Sequence, residues 1–275
     1  MTANVLTVDV EEWFHICGVA SLAPPAWPSL PTRVTEDTTR LLDLLDRCGV
    51  RATFFVLGYV AERFPELVGR IRDAGHQIGS HGHAHTRVYE LGPRGFADDL
   101  DRSLRALAAA GAGPTRAYRA PEWSINDRSL WALDELAARG VTCDSSMAPL
   151  RLVGNPSFPA APHTRDTPHG PILEIPPMVR ARFGQNVPFG GGWGLRMARP
   201  SVVLREVERR NRRGERAVFW VHPWELDPDP PRVTLPWSLW FAHYFRLDGF
   251  AARLEHVLRR TAFEPLLAAE ERVTA

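Results

Sequence analysis

The chain has 275 residues, of which 44% are hydrophobic, and its 33 basic and 32 acidic side chains leave a formal net charge of +1. This near balance gives no broad electrostatic attraction to nucleic acid or to an anionic membrane surface. All the basic residues are arginine. The absence of lysine excludes P-loop NTPases, Schiff-base and pyridoxal phosphate enzymes, and Ser-x-x-Lys hydrolases, each of which needs a lysine amine.

Short β-rich runs alternate with amphipathic helical segments along most of the chain. The predicted strands cover residues 4–10, 51–57, 76–80, 116–120, 141–144, 172–175 and 217–221. The predicted helices cover residues 35–48, 65–74, 96–107, a segment capped by Asn126 or Asp127 and ended by Gly140, a segment from about 201, and 250–259. This alternation predicts parallel β/α units in a barrel or a doubly wound sheet. No GxGxxG follows the first strand, so a dinucleotide-binding sheet is not indicated. Residues 150–171 and 182–199 are expected to be loops at one face of a single domain.

The first predicted strand ends in a run of acidic residues, Asp9-Val10-Glu11-Glu12. Side chains alternate along a strand, so Asp9 and Glu11 share one face while Glu12 points to the other. Two carboxylates on a buried face suit metal binding or acid–base chemistry. An ion-paired strand end is the structural alternative.

Three histidines, His81, His83 and His85, follow a strand within five residues. The spacing of His81 and His85 places both imidazoles on one side of a helical turn. Two neutral imidazoles and a carboxylate form a divalent-metal site with open positions, suited to zinc hydrolysis or to non-heme iron. His83 is expected to be a bystander.

Three further polar residues stand at predicted strand ends: Arg119, Asp144 and His222. An arginine there can pair with a carboxylate by charge-assisted hydrogen bonds, or form a surface salt bridge. The aromatic run around His222 presents one histidine that can serve as a general acid, because its ordinary pKa lies near neutrality. A packed core histidine is the alternative.

Five motifs occur in order: TVDVE (7–11), TFF (53–55), GHQIGSHGHAH (75–85), RAPE (119–122) and VHPWELDP (221–228). Together they resemble the NodB-type polysaccharide deacetylases, carbohydrate esterase family 4, from the first strand to about residue 260. The DVE form, CDSS, a GGGW loop (190–193) and HPWELDP followed by FAHYFRLD resemble a bacterial subgroup associated with exopolysaccharide synthesis. Its own C-terminal part would cover about residues 180–260.

The resemblance implies a distorted (β/α)7 TIM-like barrel that hydrolyses N-acetyl groups on N-acetylhexosamine units of a saccharide. The site residues it implies are a catalytic base Asp9 held by Arg119, a general acid His222 tuned by Asp144, and metal-binding His81 and His85. One divalent ion, zinc, is expected. The backbone N–H of Glu122 would face the oxyanion, and Trp123, Trp193 and Trp224 would stack on sugar rings, with a core role as the alternative.

The first motif departs from the family, which has two adjacent aspartates where this chain has Asp9 and Val10. The pleat nominates Glu11 as the replacement ligand, with Glu12 less favoured. A metal-independent hydrolase of small cyclic amides on the same barrel stays open, as does a non-catalytic saccharide-binding module.

The start of the chain lacks the basic and apolar regions of a signal peptide, and no apolar run reaches the ~18 residues of a membrane span. We therefore expect a cytoplasmic protein without a membrane span. The three cysteines are widely spaced and form no CxxC pair, so neither a zinc ribbon nor a disulfide scaffold is indicated.

Overall fold

The structure is a computed structural model that describes residues 3–268. Its strands are β1 (Asn4–Val10), β2 (Thr53–Val56), β3 (Gln77–Ser80), β4 (Ala117–Tyr118), β5 (Cys143–Asp144), β6 (His163–Arg165), β7 (Ile172–Glu174), β8 (Val179–Arg182), β9 (Gln185–Pro188), β10 (Val218–Val221) and β11 (Phe263–Glu264). Its helices are α1 (Val34–Cys48), α2 (Gly58–Arg63), α3 (Pro65–Asp73), α4 (Val88–Ala109), α5 (Ala132–Ala138), α6 (Gly192–Met197), α7 (Pro200–Asn211), α8 (Trp237–Tyr244) and α9 (Phe250–Leu258).

One curled sheet organises the described residues, in the order β10-β1-β2-β3-β4-β5-β7-β6. The seven strands from β10 to β7 along this path are parallel, and β6 pairs antiparallel with β7. β11 pairs in parallel with Asn4 and Val5 at the start of β1, ahead of the residues of β1 that pair with β2. The predicted (β/α)7 architecture is therefore confirmed. All seven predicted strands are present, β1 at its predicted length and the other six in shortened form.

The first strand is buried along its whole length and separates two packed layers. Leu6, Val8 and Val10 belong to the apolar cluster that β1 forms with helices such as α1 and α9. The alternate residues face the interior of the curled sheet, where Thr7 and Asp9 meet Arg119. This alternation carries Asp9 into the interior, as the pleat requires.

The outer edge of β10, at the end of the sheet opposite β6, is lined by irregular chain rather than by a further strand. The backbone N–H of Met178 donates to the Val218 carbonyl at 3.1 Å, and that of Trp220 donates to the Gly190 carbonyl at 3.1 Å. These bonds cover the outer edge of β10. An exposed edge would otherwise present unpaired backbone groups.

The segments expected to be loops contain structure that the sequence patterns did not reveal. Residues 150–171 include β6, and residues 182–199 include the turn and the second strand of the β8–β9 hairpin, as well as α6. The hairpin turns at Phe183 and Gly184, both with positive φ (50° and 72°), as two-residue hairpin loops require. Its strands are largely exposed and polar, so they lack the apolar alternation that predicts a strand.

Two short helices, α2 and α8, were also not predicted. α2 has six residues and follows β2 directly, too short to show an apolar repeat. α8 is aromatic on several sides, so it has no single apolar face. Among residues 3–268, no helix combines the length and apolarity that crossing a bilayer requires.

Candidate active site

The carboxyl ends of the parallel strands deliver polar side chains to one cavity of about 160 Å³. β1 supplies Asp9 and, one residue past its end, Glu11; the residues directly after β3, β4 and β10 are His81, Arg119 and His222. The cavity walls comprise Asp9, Glu11, His15, Ile16, His81, His85, Arg119, Ala120, Glu122, Trp123, His222, Trp224 and His243. This edge of parallel β/α folds is where active sites lie.

Asp9 is held by a buried arginine. Arg119 donates through Nη1 to Asp9 Oδ1 at 2.9 Å and to Thr7 Oγ1 at 2.7 Å, and through Nη2 to Ser145 Oγ at 2.8 Å. Its guanidinium lies 4.5 Å from the centre of the Phe55 ring. With its donors engaged on several sides, Arg119 fixes Asp9 rather than forming the surface salt bridge considered above.

Glu11, His81 and His85 form a compact buried cluster whose nearest ligand atoms lie within 4.8 Å of one another. Glu11 Oε2 is 2.7 Å from His85 Nε2 and 3.9 Å from His81 Nε2. His81 Nδ1 lies 2.8 Å from the Arg119 carbonyl, which can only accept. Nδ1 therefore carries the hydrogen, and Nε2 presents its lone pair towards Glu11.

The protonation states of Glu11 and His81 suit a cation. Burial raises the pKa of Glu11, but the charge and hydrogen bond of His85, helped by His222 and His81, outweigh it and hold that pKa well below its usual range. Burial, opposed by the charge of Asp9, lowers the pKa of His81 to about 4. At neutral pH the cluster thus contains a carboxylate and a neutral imidazole.

Glu12 and His83 have partners outside this cluster. Glu12 Oε1 accepts from the backbone N–H groups of Arg33 at 2.9 Å and Val34 at 3.1 Å, at the start of α1. His83 Nε2 lies 3.2 Å from Glu62 Oε1. The structure therefore brings Glu11 rather than Glu12 to the two histidines, and it leaves His83 outside the cluster.

His222 faces Asp9 across the cavity and is held by Glu225. Its Nδ1 lies 3.2 Å from Glu225 Oε2, while Nε2 is 3.9 Å from Asp9 Oδ2 and 3.7 Å from Glu11 Oε1. Burial opposes its positive charge, but the hydrogen bond to Glu225 and the charges of Glu11, Glu225 and Asp9 raise the pKa of His222 to about 9.

Glu225 takes the place in this arrangement that was expected for Asp144. Asp144 accepts from Ser146 and is hydrogen-bonded to Glu174, its partner in the register of β5 and β7. Sequence analysis missed Glu225. It lies three residues after His222 in a single turn of 3-10 helix, and this H-x-x-E spacing after a strand is the signal that would have found it.

Trp224 cannot stack on a sugar, contrary to expectation. Its indole lies between the rings of His222 (5.1 Å between centroids) and His243 (4.0 Å), nearly parallel to both. Its Nε1–H donates to Glu11 Oε1 at 3.2 Å. Both faces are covered and the side chain is buried, so Trp224 instead orients Glu11 and His222.

The other expected substrate-binding residues lie in different settings. Glu122 and Trp123 line the cavity and both have positive φ (50° and 48°), a conformation that costs energy in residues other than glycine. The Glu122 carboxylate accepts from Arg87 Nε at 2.7 Å. Trp193 lies on α6, outside the lining of this cavity, with its ring 5.8 Å from that of Phe241.

Close packing explains the run of glycines before Trp193. A Cβ at Gly191 would overlap the Trp220 indole, and a Cβ at Gly192 would overlap the Glu225 carboxylate. Only glycine lets the loop approach so closely. α6, which starts at Gly192, then places Arg196 Nε 3.3 Å from Glu225 Oε1.

Comparisons with known proteins divide the chain into two parts. Residues 27–141 match the model of the polysaccharide deacetylase family, and residues 145–269 match a domain of unknown function, DUF3473. Over 138 residues the chain is 29% identical to the peptidoglycan-N-acetylglucosamine deacetylase of Bacillus cereus. That match covers 46% of this chain and 49% of the relative, so the chain spans about half the length of that relative.

Solved structures resemble the whole chain. A protein assigned as a polysaccharide deacetylase from Mycobacterium smegmatis has a TM-score of 0.70 at 21% identity, covering 99% of this chain and 90% of that one. Puue allantoinase has a TM-score of 0.66 at 14% identity, covering 98% and 89%. These likenesses show the fold. The family model and the curated relatives show that the first half of the chain is similar to polysaccharide deacetylases, and the chain has the (β/α)7 fold of these deacetylases.

Proposed function

We propose that this protein hydrolyses the N-acetyl groups of N-acetylhexosamine units in a saccharide, with one divalent cation at Glu11, His81 and His85. The observation that carries the proposal is the placement of two oriented groups across this cluster. Asp9 is fixed by Arg119 on one side, and His222 is fixed by Glu225 on the other. Exopolysaccharide is the substrate we infer from the subgroup motifs.

The residues present fit the cation. Two imidazoles and a carboxylate are the donor set of catalytic zinc sites, and the Arg119 carbonyl sets the tautomer of His81 that such ligands adopt. Burial opposes a proton on His85, yet the charge of Glu11 raises the pKa of His85, so a cation binding there displaces a proton. When bound, zinc supplies Lewis-acid polarisation of a carbonyl oxygen and acidifies water.

Asp9 and His222 each carry out one proton transfer. Asp9 takes the proton of the attacking water through Oδ2, the oxygen that faces the cavity, while Arg119 keeps Oδ1. His222 holds a proton at Nε2 and passes it to the departing amine, because Glu225 engages Nδ1. The backbone N–H of Glu122 is our candidate for the oxyanion, and removing one such donor typically costs ~2.7–4 kcal/mol.

The fold alone does not separate this proposal from hydrolysis of a cyclic amide, because a protein named allantoinase shares the fold. The Glu11–His81–His85 cluster favours the metal-dependent reaction. A non-catalytic saccharide-binding module would need neither a fixed base nor a fixed acid, and the chain has both.

The test is incubation of the zinc-loaded protein with N-acetylglucosamine oligomers, with mass spectrometry and acetate assay as readouts. We expect one acetate and one free amine for each acetyl group lost. Turnover of cyclic amides by the metal-free protein, with no acetate from any N-acetylated saccharide, would refute the proposal.

A further inference from the structure

The helix that supplies His243 to the cavity wall also carries exposed tryptophans. Trp237 of α8 is 82% exposed and Trp240 is 42% exposed, and the neighbouring Trp193 of α6 is 37% exposed. Single apolar side chains at a surface are common, but several large aromatic ones in one patch mark a contact site. Trp237 is too exposed to serve the core.

The two tryptophans of α8 form a row that leads to the cavity. Trp237, Trp240 and His243 recur at every third residue, so successive positions are neighbours on the helix surface, about 4.5 Å apart along the helix axis. His243 lines the cavity and stacks on Trp224, which contacts Glu11. The row therefore runs outward from the candidate active site to solvent.

The row is also fixed relative to the proposed general acid. Arg196 donates to the carbonyls of Ala242 at 2.6 Å, His243 at 3.1 Å and Phe245 at 2.9 Å, at the end of α8. The Nε of the same guanidinium lies 3.3 Å from Glu225, which holds His222. A molecule resting on the tryptophans is thus kept at a set distance from His222.

We propose that Trp237 and Trp240 form a saccharide-binding surface that takes sugar units beyond the one being deacetylated. This inference rests on the proposed function. It assigns a role to α8, which lies in the part of the chain that matches a domain of unknown function. Sugar rings present apolar C–H faces and polar edges, which complement an indole with its single N–H donor.

The charge around the row favours a sugar chain over an anionic membrane. α8 itself contains no Asp, Glu or Arg, and the exposed charged residues that flank it in the sequence are of both signs: Arg232, Arg246 and Asp248. Helices that lie on anionic membranes carry a basic face. A neutral, extended polymer needs no such face.

The first experiment compares long and short substrates in steady-state kinetics. Trp237→Ala and Trp240→Ala should each raise KM for an N-acetylglucosamine hexamer about five-fold relative to KM for a monomeric N-acetyl glycoside, because a remote contact contributes binding only. Trp240→Phe should recover part of the loss. Phe183→Ala, which removes a 91% exposed aromatic ring from the β8–β9 turn, is the matched control.

A second experiment separates this inference from the proposed function. Binding of the hexamer to Asp9→Asn protein, whose folding is first verified by circular dichroism, is measured by calorimetry with and without Trp237→Ala. Weaker binding in the double variant supports the sugar surface even if no deacetylation is found. If the variants match their parent proteins in hexamer affinity and in the ratio of KM values, the inference is overturned. It is also overturned if Trp237→Ala loses binding to phosphatidylglycerol vesicles while its hexamer binding is unchanged.

Discussion

The parts of the chain before and after residue 145 build the candidate site in different ways. The first part contributes Asp9, Glu11, His81 and Arg119 from the ends of neighbouring parallel strands, so the sheet register alone brings them together. The second part contributes one strand-end histidine, His222, and surrounds it with groups from a turn, a glycine loop and two short helices. Function can therefore be altered in the second part with the barrel itself left intact.

The largest expected effect tests the first part alone. His81→Ala removes an imidazole from the cluster, so we expect loss of stoichiometric zinc and of nearly all turnover, with chelation of the wild type giving the same result. Zinc content by elemental analysis and acetate release are the measurements. Glu11→Gln should bind zinc more weakly, and Glu12→Gln, whose carboxylate faces the start of α1, is its control. Zinc loss in Glu12→Gln alone would mean that the cluster is wrongly assigned.

The next effect separates the base from the metal ligands. Asp9→Asn keeps the shape of the side chain and its contact with Arg119 but cannot accept a proton, so we expect kcat to fall about 10³-fold with zinc retained. A variant that loses its zinc would instead place Asp9 among the ligands.

A smaller effect tests the second part. Glu225→Gln retains size but not charge, so the imidazole of His222 is held less firmly; we expect kcat to fall about 10- to 100-fold, with KM and zinc content near wild type. Asp144→Asn, at the position first expected to tune His222, should leave the pH dependence of kcat largely unchanged. If Asp144→Asn shifts that dependence and Glu225→Gln does not, the geometry has been misread.

The smallest effect concerns stability, at the boundary between the two parts. Burial, together with the charge of Asp144, raises the pKa of Glu174 well above its ordinary value of 4.5, and burial also raises that of Asp144. Above pH 4.5 the unfolded chain has released a proton that the folded pair still holds. Stability therefore falls as pH rises, by up to about 1.4 kcal/mol per pH unit, until the folded pair itself ionises.

Glu174→Gln should remove the part of this slope that lies above about pH 6, because the amide does not titrate and the remaining carboxyl, whose pKa burial raises to about 6, is ionised there. Urea unfolding between pH 5 and 8 measures it, with Glu208→Gln, at an exposed position on α7, as the control. An unchanged slope in Glu174→Gln would show that the pair does not share a proton.

The sequence predicted those features that depend on local periodicity. Strand alternation put Asp9 and Glu11 on one face, and short motifs after strands put His81, His85, Arg119 and His222 at one edge. The same reasoning placed the seven parallel strands as short β-rich runs that alternate with amphipathic helices.

What the sequence did not predict depends on packing between distant segments. Nothing local shows that both faces of Trp224 are covered, since one of the covering rings, His243, lies 19 residues further on in an aromatic helix. That Glu225 rather than Asp144 contacts His222 likewise depends on the positions of the glycine loop and of Arg196. Patterns of residue type carry little information about such contacts.

Because the adjacent side chains of Glu11 and Glu12 serve different partners, the number of residues in β1 is constrained. One points to the histidines and the other accepts from the first backbone N–H groups of α1. Deleting Val10 would turn Glu12 towards the histidines and Glu11 into the apolar outer layer, so α1 would lose its acceptor and a carboxylate would be buried among apolar side chains. Val10 itself only fills the apolar outer layer. The strand should therefore tolerate exchange of Val10 for isoleucine far better than a gain or loss of one residue.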